Sequence, residues 1–379
     1  MLLTPPPVDA ARREQVREQL RGMRDKGHLS WSHLLDTARD HCCSSLLFAR
    51  LAEKNFLDLV PAEPREVLKS RFRHNLVRDM IFRFELVGLL NELAKADITV
   101  ILLKGAATWI DNLYGPDGAR EMSDIDILVR AADIERAAVI IETLGYSQIP
   151  NPNMVLEGLP TDRRHHHLRA FGKPGSPVFV ELHYRLGYGR TGGIASEEEL
   201  WQNSLAGTLE GVEVRVLNPT YRLIHNTAHG MVPECEFISS RVSLRQLAEF
   251  VYLAARYRRE IDWRTWRDKG VQGGMNMEFF TWLHLAGVLF GLEYPQAVPF
   301  SPRARLHAAR ILQADRLQTG RSGVKDSLIW LLIRLYYYLS LPGWVWENVC
   351  YTEGGGHNLA RMIYMAKKAA SPRSRAKIG

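Results

Sequence analysis

The chain has 379 residues, of which 46% are hydrophobic and 24% charged, and its formal net charge is +7 with a pI of about 9.2. This is an ordinary composition for a globular protein, and the length allows two or three hydrophobic cores. The positive charge suits an anionic ligand such as a nucleotide, RNA or a membrane surface, and does not distinguish among them.

The cysteines and the apolar stretches exclude some further classes. None of the four cysteines forms a CxxC pair, so there is no zinc signature of that kind, and reduced thiols predict a cytoplasmic protein. The N-terminus has no apolar stretch of signal-peptide length. The most apolar stretch, 328–341, is too short to span a bilayer and contains Arg334, so we expect no membrane insertion.

The hydrophobic pattern separates helical from strand-rich segments. Near the N-terminus, apolar residues recur at three- and four-residue spacing, which indicates helices; examples are Leu76, Met80, Phe84 and Val87. Phe72, Phe82 and Phe84 are expected in the core rather than as a platform for a ligand. Short β-rich runs follow, and then helices again, so the predicted fold is α+β, with a small mixed sheet flanked by helical regions. We predict an N-terminal helical region at 1–96 and a catalytic core at 97–217. A C-terminal helical region is predicted at 218–370, followed by a basic tail at 371–379.

Strands, turns and helices alternate in the middle region. Gly145 follows one predicted helix as a C-cap, and the turn residues at 172–176 predict a hairpin. The predicted strands cover 98–103, 123–129, 165–171, 178–184 and 212–216. A helix is predicted after Lys104-Gly105 and up to Leu113. Further helices are predicted at 133–144, 219–230, 244–257, 279–290, 303–317 and 326–339.

The strand predicted at 123–129 carries two acids at alternate positions, Asp124 and Asp126. Residues i and i+2 of a strand point to the same face, so both carboxylates should project together while Ile125 and Ile127 face the core. Close carboxylates repel each other, and a divalent cation such as Mg²⁺, bound together with substrate phosphates, removes that penalty. The pair therefore indicates a metal–nucleotide site, with two solvated acids on an exposed strand face as the alternative.

Two basic residues flank this strand in positions suited to phosphate. Lys104 precedes Gly105 at a strand-to-helix turn, where helix N-terminal amides favour phosphate, glycine permits close approach of the backbone and lysine supplies a point charge. Arg120 lies just before the acidic strand. The alternatives are that Gly105 only makes the turn and that both basic side chains are solvated.

Glu181 is the candidate third carboxylate. It interrupts an apolar strand, where a buried unpaired acid is costly, and a metal would explain its presence. The alternative is an edge-strand acid that faces water. Phe179 should share the face of Glu181, while Val180 and Leu182 should point to the core.

Together these residues resemble the DNA polymerase β-like nucleotidyltransferase superfamily, and more closely the uncharacterised bacterial group called the nucleotidyltransferase family 5 type. The resemblance covers roughly residues 70–260. It consists of a lysine–glycine turn, a tyrosine loop, an arginine, the acidic strand and an acid followed by Leu-His and an aromatic residue. The matching residues are Leu103, Lys104, Gly105, Tyr114, Arg120, Ser123 to Val129 and Glu181 to Tyr184.

The resemblance implies that an acceptor hydroxyl, or another nucleophile, attacks the α-phosphate of an NTP and releases pyrophosphate. It implies Mg²⁺ or Mn²⁺ as cofactor, with the third acid completing the metal site or accepting the proton. The acceptor, which could be a small molecule, a peptide or an RNA end, is not identified by the motifs. The implied catalytic and metal-binding residues are Asp124, Asp126 and Glu181, and the implied phosphate contacts are Lys104, Gly105, Arg120 and Ser123.

Five histidines are weighed for a role at or beside this site. His183 shares a face with the third acid and is a candidate substrate contact, with a structural role as the alternative. His225 and His229 lie four residues apart on one helix face and are expected to pack against the catalytic region, since zinc would need a third ligand. A metal site at His165 and His167 is not favoured, although both would point to one face.

Two features of the sequence suggest rival functions. Ala106 follows Gly105 where the superfamily usually has serine or glycine, and the missing hydroxyl suggests a nucleotide-binding regulator without turnover. The basic pI and tail suggest a helical RNA-binding protein, although RNA is not the favoured partner.

Overall fold

The computed structural model of the protein describes residues 2–5, 10–149, 166–232, 237 and 242–319. These residues form twelve α-helices and one seven-stranded sheet. The helices are α1 (Ala10–Asp25), α2 (Trp31–Asp40), α3 (Ser44–Glu53), α4 (Ala62–Lys95), α5 (Lys104–Ile110), α6 (Ile134–Thr143), α7 (Glu197–Gln202), α8 (Pro219–Met231), α9 (Leu244–Arg256), α10 (Trp263–Gln272), α11 (Asn276–Phe290) and α12 (Pro302–Thr319). The strands are β1 (Ile101–Leu102), β2 (Ile125–Leu128), β3 (Ser147–Gln148), β4 (Phe171–Gly172), β5 (Phe179–His183), β6 (Ser204–Leu209) and β7 (Val212–Leu217).

The sheet is mixed, with the strand order β3-β4-β5-β2-β1-β7-β6. At its centre β2 runs parallel to β5 and antiparallel to β1, and β1 runs parallel to β7. Antiparallel pairs form both edges. The α+β class predicted from the sequence is therefore confirmed. None of the helices among the described residues is long and apolar enough to cross a membrane.

The two faces of the sheet pack against different helices. One face contributes Ile125, Ile127, Val180 and Leu182 to a core that also contains Leu86 of α4. The other face contributes to a larger core that it shares with the C-terminal helices, including Ile101, Leu103, Leu128, Leu223 and Ile224. Because side chains alternate along β2 and β5, the polar residues between the four apolar ones lie on the side of the C-terminal helices.

The rotation of α4 differs from the sequence prediction. Phe84, predicted to lie in the core, is 79% exposed, and Met80, of the same apolar spacing, is 63% exposed. Phe82, also predicted in the core, is 1% exposed, and Asn75 and Asp79 are buried. The physical reason is polar: the Asn75 side chain donates to two carbonyls of the loop before β2, at 2.8 and 3.0 Å, and Asp79 accepts from the indole of Trp109 at 3.1 Å. These partners allow Asn75 and Asp79 to be buried, because a buried polar group left without a hydrogen bond costs about 1–3 kcal/mol.

Some predicted elements are shorter than expected and some were not predicted. The strands predicted at 98–103 and 123–129 have ladder pairing only at Ile101–Leu102 and Ile125–Leu128, and β3, β6 and α10 had not been predicted. Cys42 is a free thiol. The helix predicted at 326–339, His165, two of the four cysteines and the basic tail lie outside the described residues.

Candidate active site

Two acidic residues face each other across neighbouring parallel strands. Asp126 of β2 is paired in register with Glu181 of β5. Because the residues on either side of both acids point into the core, the two carboxylates share the opposite face of the sheet. Asp126 is only 2% exposed, so its charge needs partners inside the protein.

Lys104 supplies the positive charge of this centre. Its Nζ lies 2.5 Å from Oδ1 of Asp126 and 3.8 Å from Oε2 of Glu181. Lys104 lies at the turn from β1 into α5, and its φ of 43° is in the left-handed region, where a lysine is strained by about 1 kcal/mol or more. The surrounding structure therefore holds this lysine against an unfavourable backbone conformation.

His183 completes the group from the same strand as Glu181. The residues are two positions apart, so they share a face, and the His183 side chain is fully buried. Its Nε2 lies 3.0 Å from Oδ1 of Asp126 and 3.5 Å from Oε2 of Glu181. Ligand atoms of Asp126, Glu181 and His183 all lie within 4.8 Å of one another, the one such group in the described part of the chain. Carboxylate oxygens and an imidazole nitrogen are ordinary metal ligands, so the donor set fits a divalent cation.

The charges of this group shift one another's ionisation. Burial raises the pKa of Asp126, but Lys104 and the hydrogen bond with His183 outweigh burial and hold that pKa well below its usual range. Burial lowers the pKa of Lys104 and of His183, but the carboxylates outweigh it and raise both. Burial also raises the pKa of Glu181, but the hydrogen bond with His183 and the other favourable contacts outweigh burial, and the pKa is lowered. Lys104 and His183 are therefore the groups that stabilise the two carboxylates.

Asp124 lies just before β2 and outside the group of three ligands. The Ser123 hydroxyl donates a hydrogen bond of 3.0 Å to its Oδ1. Burial, followed by repulsion from Asp126, raises the pKa of Asp124 to about 6, and Glu181 acts in the same direction. Asp124 is therefore close enough to Asp126 and Glu181 to share their electrostatic environment.

Arg120 is engaged in a buried ion pair. Its Nε donates to Oε2 of Glu249 on α9 at 2.9 Å, and the Tyr114 hydroxyl donates to the same oxygen at 3.4 Å. A Cβ at Gly105 would clash with Nη1 of Arg120 and Sδ of Met122. Glycine at position 105 therefore has a packing cause, the close approach of Arg120. This ion pair joins the segment before β2 to a C-terminal helix.

Ala106 does not face the site. It is 1% exposed and packs in the core on the α4 side of the sheet. A hydroxyl at this position would be buried among apolar side chains, so its absence removes no group from the acidic centre. The argument from Ala106 for a regulator without turnover therefore has no structural support.

Two arginines near Asp124 were not singled out in the sequence. Arg78 on α4 and Arg245 on α9 carry charges that interact with Asp124, and each has a buried Nε without a hydrogen-bond partner among the described residues. Arg245 also donates from Nη1 to the carbonyl of Glu121 at 3.0 Å. Each lies on a helix remote in sequence from the acidic strand, so no local motif indicated them.

The histidines of α8 lie near the same centre. The His225 and His229 rings are 6.0 Å apart, and burial followed by the charge of Lys104 lowers the pKa of both, that of His225 to about 3. His225 is 5% exposed, and its Nε2 has no hydrogen-bond partner among the described residues. The expected packing of this helix face toward the catalytic region is therefore found, and it brings two imidazoles toward Lys104.

The acidic centre on the sheet and the lysine at the strand-to-helix turn are the features that the resemblance to nucleotidyltransferases implies. Residues 27–291 match the model of a family described as uncharacterised nucleotidyltransferases, the type 5 family that the motifs resemble. The match covers more than half of the chain, and the protein belongs to this family. A search of curated proteins finds no match.

Proposed function

We propose that the protein is a metal-dependent nucleotidyltransferase that moves an NMP from an NTP to a hydroxyl, or another nucleophile, of an acceptor and releases pyrophosphate. The observation that carries the proposal is the register pairing of Asp126 with Glu181, with Nζ of Lys104 between their carboxylates. Family membership supports nucleotidyl transfer in general. The acceptor is a small molecule, a peptide or an RNA end.

The acids fit a bound Mg²⁺ or Mn²⁺. Asp126 and Glu181 would hold the ion, and Asp124, whose pKa is raised by burial and by Asp126, would join them from the start of β2. When bound, a divalent ion offsets the charge of the triphosphate and lowers the pKa of an attacking hydroxyl. The positive charge of such an ion would also relieve the repulsion among the three carboxylates.

The residues of the chain would position the reactants and handle the proton. The acceptor oxygen forms a bond to the α-phosphorus while the bond from that phosphorus to the bridging oxygen breaks, and pyrophosphate leaves with the electron pair. The hydroxyl proton passes to a carboxylate of the cluster, and Glu181 either takes this role or completes the metal site. The proposed phosphate contacts, which would offset developing negative charge, are Lys104, Gly105, Arg120 and Ser123.

The test uses the full chain with each of the four NTPs, labelled at the α-phosphate, and with Mg²⁺ or Mn²⁺. Metabolite, peptide and RNA pools serve as acceptors, and both pyrophosphate release and transfer of the label are read. We expect both signals from the wild type and neither from Asp126→Asn. Salt-dependent RNA binding without pyrophosphate release, which survives loss of all three acids, would favour the RNA-binding alternative instead.

A further inference from the structure

The acidic centre contains a nitrogen donor that a purely carboxylate site does not use. Nε2 of His183 is 3.0 Å from Oδ1 of Asp126 and 3.5 Å from Oε2 of Glu181, and the ring is fully buried. The register of β2 with β5 fixes this arrangement, because Glu181 lies opposite Asp126 and His183 is two residues further along the same face. The imidazole nitrogen thus points at the space between the two carboxylates.

We propose that His183 is itself a metal ligand, so that one ion is held by an imidazole nitrogen together with oxygens of Asp126 and Glu181. The inference rests on the proposed function for the presence of a cation at this centre, and adds which ions the centre takes. Mg²⁺ prefers an all-oxygen environment, whereas an imidazole suits first-row transition metals. The centre therefore favours divalent ions of that row over Mg²⁺, and Mn²⁺ is the probe.

Lys104 shows that the space beside these carboxylates accommodates a positive charge. Its ammonium group lies against the same two carboxylate oxygens, at 2.5 and 3.8 Å. Two cations cannot share these oxygens at such distances without strong repulsion, so an ion held by Asp126 and Glu181 displaces the ammonium. Lys104 then becomes available to the phosphates of a nucleotide.

The environment of Nδ1 of His183 is consistent with ligation of an ion through Nε2. Ligation places the ring proton on Nδ1, which is buried and has no hydrogen-bond partner among the described residues. The His166 ring lies 5.1 Å away between centroids, and its own buried Nδ1 also has no hydrogen-bond partner there. Metal-bound histidines commonly donate their second N–H to a neighbour or a water.

The test is pulsed EPR of Mn²⁺ bound to the full-length, chelator-treated chain, prepared with ¹⁴N- or ¹⁵N-histidine. We expect a nitrogen coupling of directly bound imidazole that changes with the isotope. His183→Gln should remove the coupling and weaken Mn²⁺ binding by roughly 10- to 100-fold, the range seen when a group that supports a metal is lost. His225→Gln, a change at another buried histidine, should keep the coupling. Mg²⁺ should displace Mn²⁺ more readily from His183→Gln than from the wild type.

The outcomes separate this inference from the proposed function. Mn²⁺ that binds the wild type and is lost in Asp126→Asn, but shows no coupling to histidine nitrogen, would overturn the role of His183 and leave the metal-dependent transferase in place. Failure of any divalent ion to bind the wild type, with or without NTP, would overturn both. The isotope comparison uses only wild-type protein, so absence of the coupling there overturns the inference even if His183→Gln does not fold.

Discussion

Arg120 and Glu249 form a buried ion pair that joins the segment before β2 to helix α9, with 2.9 Å between Nε and Oε2 and side chains that are 12% and 8% exposed. Removal of one partner leaves a charge buried without compensation, which typically costs about 3–5 kcal/mol. Arg120→Ala should therefore lower the free energy of unfolding by about that amount, measured by urea denaturation.

The double variant Arg120→Ala/Glu249→Gln is the control, because it removes the stranded carboxylate and should regain most of the lost stability. If Arg120 also contacts phosphate as proposed, the double variant should still bind NTP about 10- to 150-fold more weakly, since a charged hydrogen bond contributes roughly 1.5–3 kcal/mol. Wild-type affinity in the double variant would limit Arg120 to its structural role.

The paired acids should be needed for turnover but not for folding. Asp126→Asn and Glu181→Gln each keep the shape of the side chain and remove its charge, so each should slow pyrophosphate release by more than about 100-fold while the circular dichroism spectrum is retained. Asp268→Asn, a change at a half-exposed acid paired with Arg267, is the matched control and should be fully active. Full activity of Glu181→Gln would reduce the candidate site to the two aspartates.

The sequence predicted the centre of the sheet because the signals there are local. Alternation at Asp124 and Asp126 indicated which side chains share a face, and the same rule applied to Glu181 correctly turned Val180 and Leu182 into the core. The pairing of β2 with β5 is not local, and only the resemblance to a known family suggested it. Once Glu181 is placed, the position of His183 on the same face follows from the alternation of side chains along β5.

Other features depend on contacts between distant segments. The rotation of α4 depends on Asn75, which donates to carbonyls of a loop more than forty residues further along the chain. Apolar spacing within the helix does not contain this information, so it indicated the face of Met80 and Phe84, which is exposed. Strand β6 has few β-branched residues and obtains its conformation from pairing with β7. Helix α10 had an overlooked local signal, since Asp262 caps the backbone amides of Arg264 and Thr265.

Lys104 should oppose metal binding in the absence of nucleotide. The Lys104 ammonium group forms an ion pair with Asp126. Without metal, Lys104→Met should therefore be less stable than the wild type. It should gain more stability from Mn²⁺ than the wild type does, measured by thermal unfolding. The same variant should bind NTP about 10- to 150-fold more weakly if Lys104 contacts phosphate. Lys95→Met, at a lysine 70% exposed on α4, is the control. Equal stabilisation of all three proteins by Mn²⁺ would show that Lys104 does not compete with the ion.

The ionisation of Asp124 should make the metal-free protein less stable at higher pH. Burial, and then the charge of Asp126, raise the pKa of Asp124 from 3.8 to about 6. The folded protein thus holds this proton more tightly than the unfolded chain, so the contribution to stability is present below the unfolded pKa and is lost as pH rises through about 6. Above that pH the ionised carboxylate costs roughly 3 kcal/mol, at 1.36 kcal/mol for each pKa unit.

Asp124→Asn removes this cost. With chelator present, its gain in unfolding free energy over the wild type should be larger at about pH 8 than at about pH 4.5 by roughly 2 kcal/mol, measured by urea denaturation. Saturating Mg²⁺ at the higher pH should cancel the gain, because a cation offsets the repulsion that Asp124 meets from Asp126 and Glu181. The comparison with and without Mg²⁺ uses the same two proteins, so it separates charge repulsion from any change in packing. A stability difference that is the same at both pH values would mean that Asp124 titrates as an ordinary surface carboxylate, apart from the other two acids.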